Sequence, residues 1–292
     1  MIETLEAVLK EGTKILEALG NGEARLDAWL LFEYVFEKNR AYFFAHGEET
    51  AEETKTEQYL ELCKKRAAHI PLQHLTHQGF FMGYEFYVNE HVLIPRQDTE
   101  TLVEEAELRL KNMEAPRILD MCTGSGCILL SILADLETAA GVGADISCEA
   151  LAVAKRNAKS LLVEERAELV ESNLFSNEIF HEKDGKIPGK YDMLISNPPY
   201  IRTAEIEGLM EEVRLHDPRQ ALDGFEDGLY FYREITKAAP SYIKKGGWLL
   251  YEIGYDQGME VSELLCQAGF EEVKVVKDLA GLDRVVLGRM PS

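Results

Sequence analysis

From Arg117 to the C-terminus, short apolar runs take turns with helical segments, and few folds accept that alternation. "RILDM" reads as a strand, "GCILLSILADL" as a helix and "GVGAD" as a second strand that ends in an acid. The helix "CEALAVAKRNAKSL" follows, then the strands "AELVES" and "YDMLIS", the strand "GGWLLYEI" and the helix "MEVSELLCQAG". Strands separated by helical crossovers pair in parallel, and a parallel sheet needs helices on both faces. The last two runs, "FEEVKVVKD" and "DRVVLGR", are close enough in sequence to form an antiparallel edge pair. The expected fold is therefore α/β, with a Rossmann-like sheet that is mostly parallel and has an antiparallel C-terminal edge.

The first 75 residues follow a different period. "IETLEAVLKEGTKILEAL" places Ile2, Leu5, Val8, Leu9, Ile15, Leu16 and Leu19 on one broad helical face, and "GNG" stops it. "ARLDAWLLFEYVF" and "TKTEQYLELCKKRAAH" continue the helical pattern, predicting a small bundle whose core takes in Tyr34, Phe36, Tyr42 and Phe43. Aromatic and β-branched residues around Gly79 and Gly83 then read as a hairpin. Pro95 punctuates the chain before a helix whose expected N-cap is Asp98. The expected organisation is a helical domain over 1–75, a β-hairpin linker over 76–97 and an α/β domain over 98–292.

Bulk properties narrow the function classes. No run approaches the ~18 apolar residues that span a bilayer, and the acidic start "MIETLEAVLKEGTK" lacks the layout of a signal peptide. Five scattered Cys with no CxxC pair read as reduced thiols of a cytosolic chain. A net charge of −21 weighs against a broad phosphate-binding surface. His69, His74 and His77 lie near Cys63 but lack a zinc-binding spacing, so no metal site is expected.

Two features carry chemistry. In "ILDMCTGSGCI", the small residues Thr123, Gly124, Ser125 and Gly126 sit where a strand turns into a helix, allowing backbone to approach a ligand. Asp145 lies 19 residues beyond Gly126 at the next strand's end, where a carboxylate accepts from ribose hydroxyls. Cys122 stands where G-x-G-x-x-G has its first Gly. Asp120 repels a pyrophosphate and attracts a cation, which favours S-adenosylmethionine over a dinucleotide; a purely structural tight turn is the alternative. The second feature is "SNPPYI", a stiff non-helical corner after the buried run "YDMLI". Such a corner lies at a strand's carboxyl end, where open α/β sheets hold ligands.

Taken in order, "LDMCTGSG", "GAD" and "SNPPYI" resemble class I S-adenosylmethionine-dependent methyltransferases that act on planar amino groups. With "PLQHL", "LIPRQDTETLVEEA", "NLFSN" and "DRVVLGR", residues 70–290 resemble the PrmC/HemK family. Members methylate the side-chain amide of the glutamine in the Gly-Gly-Gln motif of class I peptide chain release factors. The resemblance implies S-adenosylmethionine as cofactor, held by Cys122, Thr123, Gly124, Ser125, Gly126 and Asp145. Asn173 and Leu174 lie where the family commonly has an acid and an aromatic beside the adenine, and adenine contact there stays open. Arg96, Asp98 and Thr99 are expected to close one side of the pocket, with Glu100 as an ordinary first-turn acid.

A glutamine amide is a poor nucleophile whose two N–H donors need acceptors. The Asn197 side-chain oxygen and the Pro198 carbonyl are suited to accept one each, with Pro199 stiffening the corner and Tyr200 lying on the amide face. Asn197, Pro198 and Tyr200 are thus the expected catalytic residues; Asn197 also neighbours the cofactor, and residues 197–200 form the expected substrate loop. The helical domain is expected to dock the release factor, the enzyme to act as a cytoplasmic monomer, and no nucleic acid or membrane to take part. The alternatives are a nucleic-acid amino-group methyltransferase, disfavoured by the acidic balance, and a cofactor-sensing adaptor.

Overall fold

A computed structural model describes residues 4–18, 22–181 and 190–292 and divides the chain into two compact units. The first comprises Met1–Gln78 together with Met210–His216. Its helices are α1 (Leu5–Glu17), α2 (Ala24–Phe36), α3 (Arg40–His46), α4 (Glu53–Ala67) and α5 (Leu72–Thr76). Thr4 caps α1 by accepting from Ala7 N, and α1 buries Leu5, Val8 and Leu16 as its spacing predicts. Ile2, Leu19 and the first two residues of "GNG" lie outside the described residues. Gly12 lets α4 close in: a Cβ there would stand 2.2 Å from the Tyr59 hydroxyl. That hydroxyl donates to Ala28 O in α2 at 3.1 Å. Phe36 is buried among these rings, Tyr42 and Phe43 pack at the margin, and Tyr34 is exposed. Arg66 joins Asp27 at 2.7 Å and Glu212 of the returning segment at 2.8 Å.

The second unit comprises Gly79–Leu209 and Asp217–Ser292. The hairpin strands β1 (Gln78–Phe81) and β2 (Tyr84–Tyr87) turn through Met82 and Gly83, both at positive φ, and Phe81 and Phe86 join the sheet's hydrophobic core. Then come α6 (Gln97–Leu110), β3 (Arg117–Met121), α7 (Cys127–Asp135), β4 (Ala140–Asp145), α8 (Cys148–Ser160), β5 (Ala167–Glu171) and β6 (Tyr191–Ser196). The short helix α9 (Glu211–His216) belongs to the first unit, and α10 (Arg219–Leu222), α11 (Tyr230–Tyr242), β7 (Ile243–Glu252), α12 (Gly258–Gln267), β8 (Glu271–Lys277) and β9 (Asp283–Arg289) follow. The N-cap of α6 is Arg96, and Asp98 falls inside the first turn, 3.3 Å from Arg284. The helix after Pro95 therefore starts two residues earlier than a cap at Asp98 implies.

The sheet has seven strands in the order β5-β4-β3-β6-β7-β9-β8. Neighbours from β5 to β7 pair in parallel, and β9 runs antiparallel to both β7 and β8. The C-terminal pair is therefore antiparallel, with β9 inserted beside β7 and β8 outermost. Alternate residues feed two cores: Ile118, Met193 and Leu250 face α6 and α7, while Leu119, Leu194 and Leu249 face α11 and α12.

Candidate active site

Strand order reverses at β3, which has β4 on one side and β6 on the other. In open α/β sheets the crevice beyond the carboxyl ends at such a switch point holds the ligand. Here that crevice lies between the glycine turn after β3 and the Pro-Pro loop after β6. The Ser196 hydroxyl donates to Met121 O at 2.5 Å and ties the two strand ends together.

The turn is built to leave room. Gly124 and Gly126 have φ of 55° and 81°. A Cβ on Gly124 would meet nothing within 4 Å, whereas one on Gly126 would stand 2.7 Å from Leu130. Cys122 also has positive φ (64°), so this chain holds a side chain where glycine is favoured. That side chain packs against the core on the α11 face, and burial pushes its thiol well above the ordinary range. Cys122 therefore fills space and is no activated thiolate. The Thr123 hydroxyl donates to Asp120 at 2.6 Å. Asp120 is fully buried and its carboxyl is pushed up to about 7, chiefly by burial. It does not line the cavity, so it braces the turn and does not meet a ligand cation directly.

Asp145, at the end of β4, accepts Gly124 N at 2.8 Å and Ser147 N at 2.9 Å. Burial raises its carboxyl, and those backbone N–H groups pull it back. The carboxylate is thus aimed by the turn it serves. Beyond β5, Leu174 sits at φ 52°, its carbonyl accepting from the Ser172 hydroxyl at 2.5 Å. Asn173 is exposed, its N–H donating to Ser176 Oγ at 3.0 Å.

These pieces surround one cavity of about 430 Å³, a size suited to a small organic ligand. Cys122, Thr123, Gly124, Ser125, Asp145, Asn173, Leu174, Asn197 and Pro199 line it, together with Arg96 and Thr99 from "LIPRQDTE". Gly126, Pro198 and Tyr200 are not among the lining residues. Gly126 shapes the turn from behind. Pro198 is buried, and the Tyr200 hydroxyl donates to Glu252 at 3.3 Å. That bond anchors the end of the loop from behind. Arg96 reaches Asp217 at 2.9 Å, fixing one wall.

Several supports have no counterpart in the sequence reading. Asn157, buried on α8, donates to Tyr87 O at 3.0 Å and Ser125 O at 2.9 Å and accepts Tyr87 N at 2.7 Å. It thereby links the hairpin to the glycine turn. Glu100 accepts Met82 N at 2.7 Å, so it holds the hairpin turn as well as serving the first turn of α6. Gln257 donates to Tyr200 O at 3.1 Å and Gly228 O at 3.2 Å, backing the Pro-Pro loop. Phe225, Tyr230 and Phe231 form an aromatic wall. The signal for Glu252 was available: "GGWLLYEI" is a third apolar strand ending in an acid, like "RILD" and "GVGAD".

A sheet of this order, with a glycine turn after its first strand, a carboxylate after its second and an Asn-Pro-Pro-Tyr corner after its fourth, defines a class I methyltransferase domain. A family profile described as "PrmC N-terminal domain" matches residues 7–76, and one described as "Methyltransferase small domain" matches residues 97–223. The release factor glutamine methyltransferase of Geobacter sulfurreducens is 38% identical over 289 residues, 99% of this chain and 98% of its own length. That of Chlorobaculum tepidum is 40% identical over 270 residues, covering 90% of this chain and 89% of the relative. Among solved structures, the catalytic domain of hMettl16 in complex with MAT2A 3'UTR hairpin 6 superposes with TM-score 0.56 at 15% identity, covering 78% of this chain and 81% of that one; it shares the fold. The chain belongs to the release factor glutamine methyltransferase family.

Proposed function

We propose that this protein transfers the methyl group of S-adenosylmethionine to the side-chain amide nitrogen of the glutamine in the Gly-Gly-Gln motif of class I peptide chain release factors. The observation that carries this reading is the placement of Asn197 on the same cavity as the glycine turn and Asp145, in a chain alignable end to end with relatives of that name. The cavity suits the donor: Gly124 leaves space that a Cβ would take, Asp145 offers a carboxylate for ribose hydroxyls, and no helix N-terminus must meet a phosphate. When bound, the donor supplies an electrophilic methyl on a sulfonium.

The chain's own residues then orient and shield. Asn197 Oδ1 accepts one N–H of the substrate amide and the Pro198 carbonyl accepts the other, fixing the amide plane against the methyl. Pro199 holds that corner stiff and contributes apolar wall. No general base is needed, because the methylated nitrogen is acidic enough to shed its proton to water. The helical unit supplies docking area for the release factor, and the enzyme works as a cytosolic monomer.

The test incubates the protein with labelled donor and, separately, release factor, its Gln-to-Ala tip variant, DNA and ribosomal RNA. Label is expected on the native release factor alone. Label on either nucleic acid, or undiminished label on the tip variant, overturns the reading.

A further inference from the structure

A phenylalanine left half in solvent calls for a reason when it lines a cavity from a strained backbone. Phe225 is 51% exposed, borders the cavity and has φ of 68°, a region that disfavours any L side chain. The surrounding chain holds it there. The Asp223 carboxylate accepts from the Phe225 N–H at 3.0 Å and from the Thr203 hydroxyl at 2.6 Å. The Thr203 N–H donates to Phe225 O at 3.0 Å. Ile201 and Asp223 form a parallel bridge, with the Ile201 N–H donating to Leu222 O at 3.0 Å and the Gly224 N–H to Ile201 O at 2.8 Å. Gly224 permits this approach, because a Cβ there would stand 2.7 Å from Tyr200 Cα. The backbone of residues 222–225 is thus tied to the chain just past the Asn-Pro-Pro-Tyr corner, and the Phe225 ring is aimed without being buried.

The ring stands 4.6 Å from Tyr230, itself 42% exposed, and 5.8 Å from Phe231, so the three make a continuous apolar wall. That wall is fastened on one side of the crevice. Asp145 ends β4, and Asn173 and Leu174 follow β5, whereas the loop carrying Phe225 pairs with the chain that leaves β6. In the sheet, β3 and its glycine turn separate β4 and β5 from β6. The wall therefore lies across the turn from the ribose carboxylate, on the side of Asn197. A glutamine side chain is short, so when its amide meets Asn197 the backbone ahead of it must pass close to residues 200–201, where the wall is tied.

We infer that Phe225 is a specificity-determining residue: its ring is the wall on which the glycine backbone preceding the target glutamine lies, and it reads the absence of side chains there. This rests on the proposed reaction and adds to it the part of the substrate that is read beyond the amide. Two glycines lie flat on a ring because neither Cα carries a side chain. A Cβ turned toward the ring lifts the backbone and draws the amide off Asn197, which a reaction governed by alignment tolerates poorly. Discrimination then comes from a collision built against the wrong tip as much as from contact with the right one.

The test measures kcat/KM of the full-length protein and its Phe225→Ala and Phe225→Tyr variants on native release factor and on tip variants with either glycine changed to alanine. Native protein is expected to disfavour each alanine tip at least tenfold, the usual scale for one misplaced carbon. Phe225→Ala is expected to act at least tenfold more slowly on the native tip and to bring the glycine-to-alanine ratio within about threefold of unity. Phe225→Tyr keeps the ring and should keep the ratio. Because the side chain is half exposed, all variants should retain a native thermal midpoint, and isothermal titration should give unchanged S-adenosylmethionine affinity. Equal rates of native protein on glycine and alanine tips, equal fractional losses of Phe225→Ala on every tip, or weakened donor binding in that variant overturns the inference while leaving the reaction intact. A native protein that methylates no release factor overturns the reaction first and the inference with it.

Discussion

Gly124 and Gly126 lie two residues apart in one turn, and the structure gives them different reasons to be glycine. Both have positive φ, at which an L side chain costs about 1–2 kcal/mol. At Gly126 a Cβ would also stand 2.7 Å from Leu130 Cδ1, 3.1 Å from Leu130 Cγ and 3.3 Å from Ala154 Cβ. Overpacking of that kind adds about 1–3 kcal/mol. Gly126→Ala should therefore destabilise the fold by about 2–5 kcal/mol, a large part of a domain's margin of roughly 5–15 kcal/mol. At Gly124 a Cβ meets nothing within 4 Å. The strain is partly offset by a less flexible unfolded chain, leaving about 1 kcal/mol. If that open space is where the donor lies, Gly124→Ala should weaken S-adenosylmethionine at least tenfold, about 1.4 kcal/mol or more of binding. Urea unfolding gives the first quantity and isothermal titration the second. Equal losses of stability in the two variants, or unchanged affinity in Gly124→Ala, would refute the claim that one glycine serves the fold and the other the ligand.

Three further outcomes follow from the same geometry. Asn197→Ala should cut methyl transfer at least a hundredfold in a radiolabel assay with donor affinity within a few fold of native; near-native turnover would remove its role as acceptor. Arg66→Ala removes the cation that pairs with buried Asp27 and with Glu212 and should cost the helical unit about 3 kcal/mol, read as a lower unfolding midpoint. Asp120 and Glu252 both have carboxyls pushed up to about 7 from ordinary values of 3.8 and 4.5. In that window the folded chain holds protons the unfolded chain has shed, so stability should fall as pH rises from about 5 to 7 and level off above. Urea midpoints across that range check the sign, and Asp120→Asn should flatten the slope.

Periodicity made the second unit legible because its central strands β3, β6 and β9 are buried along nearly their whole length and the helices packed on them have an apolar side. That is why "RILDM", "GVGAD", "YDMLIS" and "DRVVLGR" reappear as β3, β4, β6 and β9 with few boundary shifts. The glycine turn and its acid were legible for a related reason: backbone approach and ribose recognition each demand a residue type at a strand end. The cap of α6 was misplaced because Asp98 has a better partner than a backbone N–H, the Arg284 cation. Segment 203–229 carried no period at all, being short 3₁₀ and α turns held by contacts distant in sequence. Asn157, Gln257 and Glu252 are visible only once folding brings them under the loops they brace, since each bonds a residue between 32 and 57 positions away.

The braces decide what the site is able to do. Asn197 alone is a common polar residue, and two prolines alone make only a stiff bend. What distinguishes this corner is that its key polar groups are held from behind: Tyr200 by Glu252 and Gln257, Asn197 by Thr99, and the strand ends by Ser196 on Met121. An amide nitrogen is too weak a nucleophile to tolerate slack, because alignment with the methyl must replace reactivity that the nitrogen lacks. A site of this kind therefore concentrates buried polar contacts behind the reacting corner and leaves the cavity itself mostly apolar. That arrangement predicts where damaging substitutions fall, in α6, β7 and α12 as much as in the loop they support.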